Sequence, residues 1–167
     1  MRIAVVYDSL TGNTKILADE LKKALPPEDL VYCGPLPDGI EADLYLIGSW
    51  TDKGSCSAKI AGFLEKLSGK TIAVFATAGF GGSEEYYQAI FERIKTHIDQ
   101  SNQILPPFFC QGKMPAGVLA RYQKLAEANP ADEKIRQSIA NFHQAASHPD
   151  EGDLANIRTW LENILAQ

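Results

Sequence analysis

The sequence predicts an α/β fold, a doubly wound parallel sheet of five strands with helices on both faces. Three observations carry this reading. Short apolar runs rich in β-branched residues recur almost without alternation, as in strands covered on both faces. Helical periodicities at three- and four-residue steps lie between most of these runs. After the fifth run the pattern changes to helices alone.

The first strand is read at Arg2 to Asp8, followed by a helix whose stripe is Leu17, Leu21, Ala24 and Leu25. Leu30 to Cys33 is the second strand. The connection from there to Asp43 contains Gly34, Pro35, Pro37 and Gly39, which break any helical pattern and predict a loop or a single turn. The third strand, Asp43 to Trp50, leads to a helix marked by Ile60, Phe63, Leu64 and Leu67. The fourth, Thr71 to Thr77, leads to one marked by Tyr87, Ile90, Phe91, Ile94 and Ile98, and Ile104 to Cys110 is the fifth.

The remainder, about 115–167, reads as a helical C-terminal extension. Val118 to Ala126 is one helix. Asn129 before Pro130 is a cap with proline at the first helical position, opening a helix with Ile135, Ile139, Phe142 and Ala146 on one face. Asp150 or Asp153 caps the last helix, whose stripe is Leu154, Ile157, Leu161, Ile164 and Leu165. There is no internal repeat and no low-complexity segment.

With 167 residues, the chain is expected to form a single domain over 1–167. Its 45% hydrophobic and 22% charged residues are those of a soluble globular protein. A net charge of −5, spread as 10 positive and 14 negative groups over residues 1–110 and 6 and 7 over the rest, gives no basic patch for nucleic acid or a membrane surface. Cys33, Cys56 and Cys110 are odd in number and far apart, which suits reduced thiols. With no signal-peptide pattern and no long apolar stretch, a cytoplasmic location is expected. His97, His143 and His148 show no metal-ligand spacing, so no metal is expected.

In doubly wound sheets ligands bind beyond the carboxyl ends of the strands, which makes three strand-to-helix loops the candidate site. The first is Ser9, Leu10, Thr11, Gly12, Asn13, Thr14. Hydroxyls, a carboxamide and a glycine gather at a helix N-terminus, where free N–H groups and the helix dipole favour a phosphate. The GK[ST] ending of a triphosphate-binding loop is missing, so a terminal monophosphate suits it better.

The second loop, Gly48 to Cys56, carries Trp50, Thr51, Asp52, Lys53 and Gly54, with a tryptophan able to stack on a flat heteroaromatic ring. The third, Thr77, Ala78, Gly79, Phe80, Gly81, Gly82, Ser83, has glycines that let the main chain wrap a ligand and offers Phe80 as a second ring partner. It matches neither GxGxxG nor GxSxG. Glu84 and Glu85 behind it complement a helix dipole.

The loop Ser9-Leu10-Thr11-Gly12-Asn13-Thr14 after an apolar first strand resembles the phosphate-loop signature of the flavodoxin family, with the other two loops in register over residues 1 to about 111. The resemblance implies a flavodoxin-like sheet of order 2-1-3-4-5, FMN as cofactor and electron transport as function, with redox partner proteins as donor and acceptor. It also implies that Ser9, Thr11, Gly12, Asn13 and Thr14 hold the FMN phosphate, and that Trp50 to Gly54 and Thr77 to Gly81 flank the isoalloxazine. The Trp-Thr-Asp-Lys-Gly and Ala-Gly-Phe-Gly-Gly loops, with Phe-Cys-Gln-Gly-Lys-Met-Pro at 109–115, look most like a short group from anaerobic bacteria, some of whose members accompany bilirubin reductase. Membership implies service to a larger reductase.

Phe80 stands where long-chain flavodoxins usually place a tyrosine, and the charge of −5 is modest for the family. Lys53, in a flavin-side loop, is expected to stabilise reduced anionic flavin if it lies near the ring. Two other functions fit parts of the pattern. One is a small FMN-dependent reductase acting directly on a quinone or tetrapyrrole. The other is a phosphoacceptor receiver domain, for which Asp8, Asp52, Thr77 and Lys113 fall near strand ends.

Overall fold

β-Branched and aliphatic residues at Ile3, Val5 and Leu46 point to one side of a central sheet, and their neighbours Ala4, Val6 and Ile47 point to the other. The computed structural model describes residues 1–167. Its strands are β1 (Ile3–Asp8), β2 (Leu30–Gly34), β3 (Leu44–Asp52), β4 (Ser55–Cys56), β5 (Thr71–Ala78), β6 (Gln103–Ile104) and β7 (Phe108–Gln111). The spatial order is β2-β1-β3-β5, with β6 and β7 both paired to β5, and all these pairings are parallel. Counted by parallel strands alone, this is the expected order 2-1-3-4-5.

Two strand assignments are corrected. The expected fifth strand, Ile104 to Cys110, is split into β6 and β7 by Pro106 and Pro107, which have no N–H to give the ladder. Pairing runs on to Leu105, whose N–H donates to Ile72 O at 2.9 Å, and resumes at Phe108. The second candidate loop is largely strand. β3 continues through Thr51 and Asp52 and turns back antiparallel as β4, with only Lys53 and Gly54 between them.

One face of the sheet is covered by α1 (Asn13–Ala24) and α6 (Glu151–Leu165). Leu17, Leu21, Ile157, Leu161 and Ile164 pack there on Ile3, Val5, Leu46 and Phe75. The other face is covered by α2 (Ala58–Leu64) and α3 (Glu84–Lys95), through Ile60, Leu64, Ile90 and Ile94. As expected, no helix joins β2 to β3. That loop is held by Tyr45, whose hydroxyl donates to Ile40 O (2.7 Å) and accepts from Ala42 N–H (3.1 Å), and by Tyr32, whose hydroxyl donates to Pro35 O.

The remaining helices, α4 (Ala116–Ala128) and α5 (Glu133–Ala145), form a hairpin packed mainly on itself. α4 has no buried residue, and α5 buries Phe142 and Ala145. The expected cap of α5 is corrected. Asn129 ends α4, and Asp132 opens α5 by accepting from Lys134 N–H at 2.9 Å. Both residues are of capping type and lie three apart, so composition alone does not choose between them. α6 is capped by Asp150 in a reciprocal box with Asp153.

Candidate functional site

α2, α3, α5 and α6 are each capped by the side chain of the N-cap residue itself, α4 starts at a proline, and α1 has no side chain at its N-cap. Its cap is Gly12, at φ 94°, and the loop before it wraps around Ser9, whose Oγ accepts from the N–H groups of Gly12 (3.1 Å) and Lys15 (3.2 Å). The backbone N–H groups of Thr11, Asn13 and Thr14 make no hydrogen bond within the chain. Unpaired donors at the positive end of a helix form an anion-binding concavity. Lys15 is turned aside into an ion pair with Asp19 (2.8 Å), which raises its pKa, so amides and hydroxyls make up the concavity.

Asn13 knits this loop to the end of β7. Its Nδ2 donates to Thr11 Oγ1 (3.0 Å) and to Lys113 O (2.8 Å). Gly112 makes that approach possible, since a Cβ there would stand 2.6 Å from Asn13 Nδ2. Thr14 is buried, and its hydroxyl hydrogen-bonds Thr77 Oγ1 at 3.2 Å. Leu10 is exposed at the loop's tip.

At the end of β3, the partly buried Trp50 donates from Nε1 to Asp8 Oδ2 at 3.0 Å, so Asp8 is a partner of the indole. Thr51 Oγ1 donates to Thr77 O (2.8 Å), which joins the second and third loops. Lys53 and Gly54, at φ 50° and 79°, make the left-handed pair of a two-residue hairpin turn. Arg93 of α3 donates to Gly54 O at 3.0 Å and pins the turn, while the exposed Lys53 forms no ion pair. Asp52 ends β3, partly buried.

The third loop leaves β5 at Ala78. Gly79 O accepts from Asn141 Nδ2 (2.9 Å) and lies 3.4 Å from Gln111 Nε2. Phe80 is exposed and Gly81 is partly buried. Tyr87, already on α3, stacks on Phe109 with centroids 5.2 Å apart, and burial raises its pKa. Burial likewise raises Cys56 and carries Cys110 far up, so neither thiol ionises near neutrality.

The three predicted loops thus meet at the carboxyl ends of β1, β3 and β5. Sequence reading missed the fourth contributor, the end of β7 with Gln111, Gly112 and the Lys113 carbonyl, and also Asn141. A glutamine closing an apolar strand was a usable signal, because a buried amide must find partners. Asn141 carried none, since the hairpin's path over the sheet is not periodic information. His148, Asp150 and Asp153 do come together, with His148 Nδ1 2.6 Å from Asp153 Oδ2, a juxtaposition that the spacing argument passed over. Capping of α6 accounts for both acids.

A profile described as "Flavodoxin domain" matches residues 4–162. The chain is 37% identical over 180 aligned positions to a flavodoxin-like domain-containing protein BilS of Clostridium symbiosum (strain WAL-14163), covering 96% of this chain and 94% of that protein. It is 35% identical over 170 positions to a protein of the same description from Clostridioides difficile (strain CD3), covering 99% and 97%. Among solved structures, a flavoprotein in complex with FMN from Lactobacillus acidophilus NCFM is similar in fold. Its TM-score is 0.52 at 16% identity, over 65% of this chain and 92% of that one.

Proposed function

The chain belongs to the flavodoxin family, and from that premise we propose that it binds FMN in the four-sided crevice and carries electrons to a separate reductase. The observation that carries the reading is the N-terminus of α1, where the backbone N–H groups of Thr11, Asn13 and Thr14 have no partner within the chain. A dianionic phosphate fits such a donor set, which offers hydrogen bonds and a positive dipole end without a cation. FMN, when bound, supplies the redox chemistry, taking up and releasing electrons singly or in pairs.

The chain's own residues bind, orient and present. Ser9, Thr11, Gly12, Asn13 and Thr14 would hold the phosphate, with Ser9 and Asn13 keeping the loop in shape and Thr14 anchoring it to Thr77. Trp50, steadied by Asp8, offers an aromatic face, and the 51–54 and 77–81 segments would flank the ring. Leu10 and Phe80, exposed by 66% and 43%, offer apolar surface on the first and third loops, where a protein partner would dock. The likeness to BilS proteins and the loop resemblance to a group that accompanies bilirubin reductase support a tetrapyrrole reductase as acceptor.

The test is a visible spectrum of the purified chain before and after adding FMN, followed by anaerobic dithionite titration. Flavin bands displaced from those of free FMN, with reduction in two separated one-electron steps, are the expected result. A spectrum equal to that of free FMN would overturn the reading, and a single two-electron step with turnover of a quinone or tetrapyrrole would replace the carrier by a reductase.

A further inference from the structure

The α4–α5 hairpin is hydrogen-bonded to the crevice through one side chain. Asn141 donates from Nδ2 to Gly79 O (2.9 Å) and accepts at Oδ1 from Gln111 Nε2 (3.0 Å). Gln111 Nε2 stands 3.4 Å from the same carbonyl. Two amides from different elements therefore converge on one carbonyl of a loop that is otherwise rich in glycine. Gln111 is buried at the end of β7, so its head group is held by the sheet, and it in turn orients Asn141.

In a trans peptide the carbonyl and the following N–H point in opposite directions. With Gly79 O turned to α5, the N–H of Phe80 is turned away from α5, and it makes no hydrogen bond within the chain. Turning that peptide over would change ψ of Gly79, which a glycine tolerates, and would carry Phe80 from negative to positive φ; the amide pair adds its hydrogen bonds to the orientation observed.

We propose that Gln111 and Asn141 are positioning residues that lock the Gly79–Phe80 peptide, so that the Phe80 N–H stands ready to donate to an acceptor edge of the flavin ring. The proposal rests on the FMN reading above. It also gives the C-terminal hairpin a part in cofactor binding, since Asn141 is its only hydrogen-bonded link to the glycine loop.

The experiment uses the full ¹⁵N-labelled chain and its Asn141→Asp and Asn141→Ala variants, titrated with FMN. Asp keeps the shape but has no donor for Gly79 O; Ala guards against misfolding from the added charge. In the natural chain the Phe80 amide proton is expected to move downfield on FMN binding. In the variants that shift should shrink by about half or more, and Kd for FMN should rise roughly 3- to 10-fold, the scale of one hydrogen bond. Either variant binding within about twofold of the natural chain, with the same Phe80 shift, would overturn the proposal. Failure of the natural chain to bind FMN would instead overturn the underlying reading.

Discussion

Trp50 and Asp8 make a single hydrogen bond that decides what the indole can do. Without a partner, an indole N–H at a half-open site turns to water and the ring samples several rotamers. The carboxylate is a strong, charge-assisted acceptor, and solvent near the crevice weakens it. Asp8→Ala is therefore expected to shift the tryptophan emission of the FMN-free chain and to weaken FMN binding by about 1 kcal/mol, roughly fivefold. Fluorescence titration checks both. The sequence made Trp50 legible as a ring partner because an aromatic residue at a strand end is visible by itself. Asp8 read there as a receiver-type acid, because a contact across 42 residues leaves no local trace. Thr14 is similar. Its place in a hydroxyl-rich loop at a helix N-terminus is legible, and its bond to Thr77, which ties two loops together across 63 residues, is not.

At the scale of elements, the C-terminal region divides into two parts that look alike in composition. α6 closes one face of the sheet, with Trp160 between Phe75 and Phe108 and its Nε1 donating to Pro106 O at 2.8 Å. Trp160→Ala should cost roughly 3–5 kcal/mol of stability, read as a lower denaturant midpoint, because the cavity lies against rigid strands. The α4–α5 hairpin has no comparable apolar seat. The parallel strands were legible because burial on both faces writes unbroken apolar runs. The β3–β4 turn was not, since Thr51 and Asp52 are polar and their pairing depends on a left-handed Lys53–Gly54 pair. The start of α5 is not legible for a related reason, as Asn129 and Asp132 both suit a cap and composition does not choose between them.

The whole molecule is a firm two-faced sandwich carrying a looser attachment over its functional end. Local opening free energies follow burial, so hydrogen exchange should be fastest in α4 and α5 and slowest in β1, β3 and β5. Added FMN should slow exchange in α5 more than in α6, because Asn141 joins α5 to the glycine loop. Equal slowing of both helices would mean that the hairpin is insensitive to the crevice. The fold class and three of the four crevice loops could be read from the chain alone. The fourth required the topology, because the end of β7 becomes part of the site only when it lies beside Asn13.

The prolines that divide the last strand act on encounters between molecules. β6 and β7 form an outer margin of the sheet, where an unbroken row of donors and acceptors would be a template for a stray strand from another chain. Pro106 and Pro107 remove two donors at its middle, and a foreign strand finding register on one half loses it on the other. The margin is thereby guarded against accretion into sheets larger than one molecule, even in concentrated solution.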